Sequence, residues 1–250
     1  MIIAQISDTH IDLVGPNGAA RLGYLERCVM SINRLDPLPD AVIHTGDLSH
    51  NGKPAEYEVA KRILGALRCP LHVGAGNRDD RAALRAAFPA ERYLLPDMPF
   101  VQYSADAHPV RLIAVDTLCE GSNKGDFCQI RADSLRAALA EETTKPTIVF
   151  MHHPPFVVHE SDYPVQFASW DGVERMGRAL EGQRQVIGMF CGHTHRNVAG
   201  EVGGVPVSSM PSVAVDLRLG QYPESVAGAP MYKLHRVDGG ERVVSEIRAA

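Results

Sequence analysis

His193 and His195 are separated by one residue, and their type and spacing suggest a pair of metal ligands. On an extended backbone they would lie on opposite sides, but a tight turn beside Gly192 would aim both imidazoles into one space. Imidazole binds zinc, iron, cobalt and manganese. Asp8 and His10 have the same spacing and directly follow an apolar run. Each pair alone is weak evidence for a metal site, because such pairs also occur by chance on surfaces.

Three more polar clusters come at the ends of apolar runs. They are Thr45-Gly46-Asp47, Gly76-Asn77-Arg78-Asp79 and Met151-His152-His153-Pro154-Pro155. In open α/β sheets, ligands bind outside the carboxyl ends of the strands. Five such clusters, each just past a predicted strand, are difficult to explain as packing. The sequence therefore predicts one site that is assembled from five loops.

The candidate ligands are too many for one tetrahedral zinc. They are Asp8, His10, Asp47, Asn77, His152, His193 and His195. This supply suits two metal ions if one carboxylate bridges them, and Asp47 is the natural bridge because each of its oxygens can hold a cation. Two ions about 3.5–4 Å apart can clamp the attacking and the leaving oxygen of an in-line displacement at phosphorus. With only two carboxylates among the ligands, the site stays positive and attracts phosphate.

Several of these residues also have a structural explanation. Asp47 and Asn77 each follow a glycine, and both residue types are common in turns. The neighbours His152 and His153 are not both expected to be ligands, because the proline after His153 restricts its backbone to extended conformations. One of the two histidines is therefore expected to support the site rather than to bind the metal.

The remaining histidines and the cysteines form less specific patterns. His50 and His159 lie in predicted loops that can reach the site, although a structural role is favoured for each. The other histidines are expected to pack in strands or to lie at the surface: His44, His72, His108 and His235. The cysteines are an odd number without C-x-x-C spacing, which argues against a disulfide framework and favours a reducing cytoplasm. They are Cys28, Cys69, Cys119, Cys128 and Cys191.

Composition limits the class of protein. The chain has 250 residues and is 45% hydrophobic, enough for one large core. No apolar run approaches the roughly 20 residues that cross a bilayer, and the opening stretch 1–6 has no basic leader, so neither a membrane segment nor a signal peptide is predicted. The net charge of −5 disfavours a nucleic-acid polymer as partner. It does not disfavour a phosphate substrate, since bound metal supplies local positive charge.

Hydrophobic periodicity predicts the elements that must position the clusters. In the first half, strands are predicted at 2–7, 41–45 and 71–75, and helices at 22–35, 54–67 and 79–88. This alternation implies parallel strands with right-handed crossovers. In the second half, the predicted strands are 100–104, 111–116, 147–151, 186–191, 198–202, 205–209, 231–237 and 243–247, with helices at 132–142 and 172–180. Residues 12–20, 120–127 and 154–170 are predicted loops, and 223–230 a mobile excursion. The expected fold is α/β, with two sheets covered by helices.

Taken together, the five clusters resemble the signature of the calcineurin-like metallophosphoesterases. The blocks occur in the family's order: Asp8-x-His10, Gly46-Asp47, Gly76-Asn77-x-Asp79, His152-His153-Pro154-Pro155 and Gly192-His193-x-His195. Closer similarity is to the bacterial class III cyclic-nucleotide phosphodiesterases, and especially to the glycerophosphodiesterase within that group. Residues 39–42, 52–57 and 62–65 also resemble it, and the similarity runs from residue 2 to about 211.

The resemblance implies a four-layer αββα sandwich in which two central mixed sheets are flanked by helices. Residues 1–250 would form a single metallophosphoesterase domain, with room for a small oligomerisation or cap element within 197–232. Two divalent or trivalent ions of manganese, iron, cobalt or zinc are implied. One would be held by Asp8, His10, Asp47 and His195, and the other by Asp47, Asn77, His152 and His193. His153 would then support the site, and a hydroxide held by the metals would attack phosphorus.

One residue departs from the family's pattern. The third block usually reads G-N-H-D or G-N-H-E, whereas Arg78 stands here in place of the histidine. Arg78 cannot donate a proton at neutral pH, but it can bind phosphate oxygens in a bidentate fork. Arg78, Asn77 and Asp47 are therefore the predicted catalytic residues. In the alternative interpretation, Arg78 turns away and pairs with Asp79 or Asp80 on the surface.

The expected activity is hydrolysis of a small phosphodiester in the cytoplasm, on a glycerophosphodiester-like or cyclic-nucleotide substrate. The alternatives are a phosphomonoesterase, a hydrolase of phosphonates or phosphoramides, and a noncatalytic scaffold that kept the fold. The apolar β segments within 198–215 also favour self-association into a homo-oligomer. The competing interpretation is that these segments only complete the second sheet.

Overall fold

Eleven strands form two mixed sheets in a computed structural model that describes residues 1–88, 98–239 and 242–250. The strands are β1 (Ile2–Ile6), β2 (Ala41–His44), β3 (Leu71–Val73), β4 (Tyr103–Ala105), β5 (Arg111–Ala114), β6 (Thr147–Phe150), β7 (Val186–Cys191), β8 (Ala199–Val202), β9 (Val205–Ser209), β10 (Met231–Asp238) and β11 (Arg242–Ala249). Sheet 1 has the order β11-β10-β1-β2-β3, and sheet 2 has the order β4-β5-β6-β7-β9-β8.

Helices follow most of the parallel strands. They are α1 (Gly18–Asn33), α2 (Pro54–Leu64), α3 (Arg81–Ala87), α4 (Gln129–Glu141), α5 (Trp170–Leu180) and α6 (Glu224–Ala227), with a 3-10 turn at Val215–Leu217. β1, β2 and β3 are parallel, as the alternating pattern predicts, and so are β5, β6 and β7. β10 pairs antiparallel with β1 and closes its other side. Among the described residues, every helix is too short or too polar to cross a bilayer.

The burial of alternate residues in sheet 2 shows how the layers stack. Leu112 and Ala114 on β5 pack with the residues of sheet 1, whereas Ile113 packs with α4 and α5. Along β6, Phe150 faces sheet 1 and Val149 faces the helices in the same alternation. Because successive side chains of a strand point to opposite faces, sheet 2 is buried on both sides. The predicted α/β sandwich, with two mixed sheets flanked by helices, is confirmed.

A buried polar contact fixes the position of one sheet on the other. The amide nitrogen of Gln5 on β1 donates to the hydroxyl of Thr45, at 3.0 Å, and to the carbonyl of Cys191 on β7, at 2.9 Å. Its amide oxygen lies 3.0 Å from His235 Nε2, and that imidazole stacks on Phe190 with ring centroids 3.6 Å apart. Gln5 therefore joins strands of both sheets directly beneath the loops that follow them.

Some predicted element boundaries differ from the structure. Helix α1 begins at Gly18, inside the predicted loop 12–20, because Ala19 and Ala20 favour the helix and extend it towards its N-terminus. The strand predicted at 100–104 is only Tyr103–Ala105, since the backbone N–H of Val101 donates to the Asp116 carboxylate instead of to a strand, at 2.8 Å. The predicted excursion 223–230 contains the short helix α6. The segments 198–202 and 205–209 contain β8 and β9 of sheet 2, in which β8 is an edge strand.

Candidate metal centre

Five loops that follow parallel strands lie side by side at one edge of the two sheets. The backbone N–H of Asp8 donates to Gly46 at 3.0 Å, and that of His10 donates to Asp47 at 3.0 Å. In sheet 2, the N–H of Gly192 donates to the carbonyl of His152, also at 3.0 Å. The strand pairing thus continues into the loops that carry the predicted ligands. The structure brings all seven of these side chains together.

Asp8, His10 and His195 form the first cluster. His195 Nδ1 lies 2.9 Å from the carbonyl of Leu217, so Nδ1 carries the proton and Nε2 presents its lone pair. That Nε2 lies 3.2 Å from His10 Nε2 and 3.3 Å from an oxygen of Asp8. Asp8 is fully buried, and His10 is 3% exposed. Two ring nitrogens and a carboxylate therefore converge on one point.

Asn77, His152 and His193 form the second cluster. His152 Nδ1 donates to the carbonyl of Thr45 at 2.8 Å, which leaves Nε2 to face the side-chain oxygen of Asn77 at 3.1 Å. The ring of His193 lies with its centroid 5.1 Å from that of His152. The amide nitrogen of Asn77 points the other way, towards Asn123 Oδ1 at 3.5 Å. Asn77 thus turns its oxygen, the atom that can bind a cation, towards the cluster.

The carboxylate of Asp47 lies between the two clusters. Its Oδ2 is 3.6 Å from His10 Nε2, and its Oδ1 is 3.4 Å from His152 Nε2. The backbone N–H of Arg78 donates to Oδ1 at 2.7 Å and holds the group in this orientation. Asp8 also lies near both clusters, since its Oδ1 is 4.0 Å from His152 Nε2. One oxygen of Asp47 therefore faces each cluster.

Five residues that are not glycine have positive φ angles among those the structure describes, and all five are predicted ligands. They are Asp8 (53°), His10 (45°), Asp47 (55°), His193 (69°) and His195 (54°). This left-handed conformation costs roughly 1–2 kcal/mol for a residue with a Cβ atom, somewhat less for aspartate. Backbone strain of this kind gathers at functional sites, where the surrounding structure holds it in place. The strain is thus confined to the loops that aim these side chains.

Glycines allow the backbone of one loop to touch the carboxylate of another. A Cβ atom at Gly192 would overlap the hydroxyl of Ser7 and the carboxylate of Asp8. A Cβ atom at Gly76 would overlap the backbone and the carboxylate of Asp47. The glycines that precede His193 and Asn77 in the sequence are therefore required by close approach, and they let the two buried carboxylates sit against backbone.

Burial and charge compete at the titratable groups. Burial opposes ionisation of Asp8, but the charges of His195, His152 and His10 outweigh it and hold the pKa of that carboxyl well below its usual range. Asp47 behaves in the same way, with His152 as its main partner, and its pKa is also depressed. Burial favours the neutral ring of His152, yet Asp47, Asp8 and the Thr45 carbonyl raise its pKa to about 9. Both carboxylates are consequently ionised at neutral pH.

This donor set fits metal cations. Two buried anions and four imidazoles lie in mutual contact, and groups of three ligand atoms lie within 4.8 Å of one another. Lone pairs that face each other repel unless a proton or a cation lies between them. Oxygen and imidazole nitrogen together suit manganese, iron, cobalt and zinc. His153 also falls within one of these groups, with His152 and His193.

The structure places the other candidate residues at different distances from the centre. His153 is fully buried, with Nδ1 2.8 Å from the hydroxyl of Thr117 and its ring against His193. His50 reaches the centre, since its Nδ1 lies 3.4 Å from His10 Nδ1. His159 is exposed in its loop, and no contact joins it to the site among the described residues.

Arg78 does not pair with either neighbouring aspartate. Among the described residues, no carboxylate lies within 4.0 Å of its guanidinium, although the side chain is exposed. Burial, together with the charges of Arg21 and Arg78, lowers the pKa of His50. Asp79 is instead buried, and Asp80 caps α3 through Ala83 N at 2.7 Å. The alternative interpretation, in which Arg78 pairs with these residues, was wrong.

Two positioning residues were missed by the sequence reasoning. His44, expected only to pack in its strand, accepts from Gly46 N at Nδ1 and contacts the Thr9 hydroxyl through Nε2, at 3.2 and 3.1 Å. The Asp79 carboxylate accepts backbone N–H groups from the two loops that carry Asp47 and Asn77. The D of the G-N-R-D block was the available signal for Asp79, whereas nothing near His44 in the sequence marked it.

Three more histidines lie at positions away from the centre. His235 is fully buried on β10, as expected for strand packing. His72 and His108 face each other with their Nε2 atoms 2.9 Å apart. His72 is buried in β3 and His108 lies near the surface, which matches the expected strand or surface positions.

Known proteins resemble this chain in sequence and in fold. A protein of Arcobacter nitrofigilis named "Probable glycerophosphodiester phosphodiesterase" is 32% identical and is aligned over 94% of this chain and 88% of its own length. The cAMP/cGMP dual specificity phosphodiesterase of Mycobacterium tuberculosis is 33% identical over 83% of this chain and 65% of its own.

Two solved structures share the fold at low sequence identity. A Thermus thermophilus protein has a TM-score of 0.61 and 15% identity, over 98% of this chain and 97% of that one. A purple acid phosphatase from yellow lupin seeds has a TM-score of 0.65 and 12% identity, over 100% of this chain and 51% of that one. The family model described as calcineurin-like phosphoesterase matches residues 1–197. With this match and these relatives, the chain belongs to the calcineurin-like phosphoesterase family.

Proposed function

We propose that this protein is a metal-dependent phosphodiesterase whose substrate is a small diester of the glycerophosphodiester or cyclic-nucleotide class. The observation that carries the proposal is the convergence of seven ligand side chains on one edge of the sheets, five of them held in left-handed conformations. The names of the relatives point to the same class of substrate. A net charge of −5 argues against a nucleic-acid polymer as the substrate.

Two cations are proposed, with Asp47 shared between them. Asp8, His10, Asp47 and His195 would hold one ion, and Asp47, Asn77, His152 and His193 the other. The support is the position of the Asp47 carboxylate, which turns one oxygen to each cluster. Manganese, iron, cobalt or zinc would suit these ligands. When bound, such ions act as Lewis acids on the phosphoryl oxygens and lower the pKa of water.

The protein's own groups bind and orient the phosphate. Arg78 is exposed beside the centre, and its guanidinium can place two donors on phosphate oxygens. It stabilises negative charge that grows on those oxygens in the transition state. It supplies no proton to a departing alkoxide, because guanidinium stays charged at neutral pH. Asn77 turns its oxygen inward because Asn123 engages its amide nitrogen.

The competing functions differ in what they predict for the ligands. A noncatalytic scaffold has no need to keep strained ligand loops, whereas all five strained positions here are ligand types. A phosphomonoesterase would use the same metals but would bind a dianion. Phosphonates and phosphoramides would differ only in the leaving atom. The diester is favoured because the two relatives compared above are diesterases by name.

An activity screen tests the proposal. The protein, stripped of metal and then reloaded with each of the four candidate ions, is assayed on bis-p-nitrophenyl phosphate, p-nitrophenyl phosphate, glycerophosphodiesters and cyclic nucleotides. We expect metal-dependent turnover of diesters that exceeds turnover of the monoester. Turnover of the monoester alone would indicate a phosphomonoesterase. No turnover with any ion would favour the scaffold.

Two further proposals concern the setting of the protein. The five cysteine thiols are free, which supports a reducing compartment such as the cytoplasm. A small oligomerisation element within 197–232 is supported by β8, which is an edge strand of sheet 2 and can pair with a second copy. Light scattering at micromolar concentration should then give more than one chain per particle. A monomer would contradict the oligomer without affecting the proposed activity.

A further inference from the structure

Residues 212–219, here called the strap, run across the loops of the first cluster. The hydroxyl of Ser212 donates to the carbonyl of Asp8 at 2.8 Å. The N–H of Ala214 donates to the same carbonyl at 3.3 Å, and the N–H of Val213 donates to Ser7 at 3.0 Å. Asp8 is in the left-handed conformation at this point. The strap thus holds the strained backbone of one predicted ligand.

The strap also holds His195 at two points. Leu217 accepts the Nδ1 proton of His195 through its carbonyl at 2.9 Å. The N–H of Leu219 donates to the backbone carbonyl of His195 at 3.0 Å. A carbonyl that accepts the second ring N–H fixes both the tautomer and the ring orientation of a ligand histidine. The direction of His195 Nε2 therefore depends on where the strap places Leu217.

A partly buried ion pair fixes the strap to helix α1. The guanidinium of Arg21 contacts the carboxylate of Asp216 through Nε at 3.2 Å and Nη2 at 2.7 Å. Its remaining nitrogen, Nη1, donates to the carbonyl of His10 at 3.4 Å. Asn17 adds a donor to Asp216 at 2.9 Å. Arg21 is 5% exposed, so this one side chain joins the strap to the third ligand of the first cluster.

Of the two clusters, the strap forms hydrogen bonds only with the first among the described residues. Among the described residues, no hydrogen bond joins the strap to Asn77, His152 or His193. His152 and Asn77 take their orientation from Thr45 and Asn123, whereas the backbone N–H of His193 donates to the Asp8 carboxylate of the first cluster at 3.2 and 3.1 Å. The strap also lies beyond the residues that match the family model. It contacts Asp8 and His195 of the first cluster directly, and it is joined to His10 through Arg21.

We propose that the strap and the Arg21–Asp216 ion pair position the first cluster, and that they set the cation affinity of that cluster alone. The inference rests on the metal centre proposed above. Arg21 and Asp216 touch no substrate and act only through His10 and His195. Loss of an outer partner of a metal ligand lowers metal affinity by about 10–100-fold. The same loss here should fall on one of the two ions.

The test measures metal affinity rather than turnover. Asp216→Asn is combined in turn with Asn77→Ala plus His193→Ala, which leaves the first cluster, and with His10→Ala, which leaves the second. Each stripped protein is titrated with Zn²⁺ and with Mn²⁺ by equilibrium dialysis and metal analysis. We expect Asp216→Asn to weaken binding at the first cluster by about 10–100-fold and to leave the second unchanged.

The controls separate positioning from general destabilisation. Glu141→Gln breaks a pair of similar length with a buried arginine, Arg111, far from the strap, and should change neither affinity. Arg21→Lys keeps the charge but cannot reach both Asp216 and His10, so it should repeat the loss. The double variant Arg21→Lys with Asp216→Asn should lose no more than either single change, because the two residues act as one unit.

Three outcomes decide the inference. Equal weakening of both clusters, or of neither, would overturn the role of the strap while leaving the two-cation centre in place. A parent protein that binds no cation would overturn the proposed function and the strap together. If thermal denaturation of the stripped protein shows that Asp216→Asn is unfolded, Arg21→Lys decides the matter by the same titrations.

Discussion

The two clusters of the centre draw on similar side chains, but the chain holds them in different ways. All three residues of the first cluster are in the left-handed conformation, whereas His193 is the only such residue in the second. The first cluster has its own carboxylate in Asp8, and the strap holds its loops. In the second cluster, the neutral Asn77 takes the equivalent place, 3.1 Å from His152. Asp47 lies between them and faces both.

This difference predicts unequal cation affinities at the two proposed ion sites. A carboxylate binds a divalent cation more strongly than a neutral amide, and a fixed loop loses less entropy when the ion arrives. We therefore expect the first cluster to bind its cation more tightly. The second cluster has a weaker ligand, and the pKa of its His152 is raised to about 9. In the first cluster Asp8 outweighs burial and raises the pKa of His195 as well, so a proton competes with the cation at both clusters. We expect the ion of the second cluster to be the more labile one.

The largest effect is expected from removal of the shared carboxylate. Asp47→Ala removes one predicted ligand from both clusters at once. Both ions should therefore be lost, and with them any difference in cation affinity between the clusters. Several kcal/mol of charge stabilisation would be lost, which corresponds to a fall of about 10³-fold or more in kcat/KM. Metal analysis and diester assays measure the two effects. Asp133→Ala, at an exposed carboxylate, is the control. One ion retained with full activity would contradict the shared role of Asp47.

A change of pH should act on the second cluster. Below pH 9 the ring of His152 holds a proton that must leave before the nitrogen can bind a cation. Affinity at this cluster should therefore rise about tenfold per pH unit, or about 100-fold from pH 7 to 9, and then level off. Competition with a chelator measures it. His152→Gln should flatten the slope, and a slope that persists in that variant would argue against His152 as its source.

The same proton gives a second readout without metal. The pKa of His152 is raised above its value in the unfolded chain, so the native state binds the proton more tightly. This stabilisation is complete below about pH 6.5 and is lost as the pH rises through about 9. The melting temperature of the stripped protein should fall across that interval. An increase there would contradict the ion pair of His152 with Asp47 and Asp8.

Arg78 follows Asn77 of the second cluster in the sequence. Substitutions of Arg78 test whether the protein also binds the substrate beside this cluster. Arg78→Ala should lower kcat/KM for diesters by about 10–100-fold, since a hydrogen bond to a charged group contributes about 1.5–3 kcal/mol. Arg78→His should help substrates with poor leaving groups, such as glycerol, more than those that release p-nitrophenolate, because it restores a proton donor. Arg178→Ala, at another exposed arginine, serves as control. An unchanged kcat/KM for every diester in Arg78→Ala would falsify this role.

Asn77→Asp should reduce the difference in cation affinity between the two clusters. The substitution gives the second cluster a carboxylate and should tighten its ion by about tenfold or more. Turnover can fall at the same time, since the added negative charge repels phosphate. Asn77→Ala should loosen the same ion and leave the first cluster unaffected. Two ions of equal affinity in the parent protein, unchanged by Asn77→Asp, would remove the asymmetry altogether.

The sequence predicted the parts of the fold that local patterns encode. The apolar runs before Asp8, Asp47 and His152 form buried parallel strands in the structure. Local patterns could predict them because parallel strands buried on both faces are apolar throughout. Since parallel strands end at one edge, the convergence of the polar clusters followed from the same pattern. That each of these side chains binds a metal stays a prediction.

Contacts between residues far apart in the sequence could not be predicted from local sequence patterns. Arg21 and Asp216 are 195 positions apart, and neither has a neighbour that marks it as a partner of the other. Gln5, a polar residue within the apolar stretch 1–6, connects both sheets. Its partners become visible only when β1, β7 and β10 are adjacent. The strap was missed for the same reason, since its contacts are made by backbone groups that any sequence carries.

The placement of β1 between β2 and β10 has a consequence for biosynthesis. β1 can pair with β2 soon after both leave the ribosome, but its other edge waits for β10, and Met1 and Val237 are 236 residues apart. At about 5–20 residues per second, that interval lasts roughly 10–50 s. During it, Asp8 and His10 are already made but lack the strap and the last histidines. The nascent chain therefore carries an incomplete set of the predicted ligands until His193, His195 and the strap have been made.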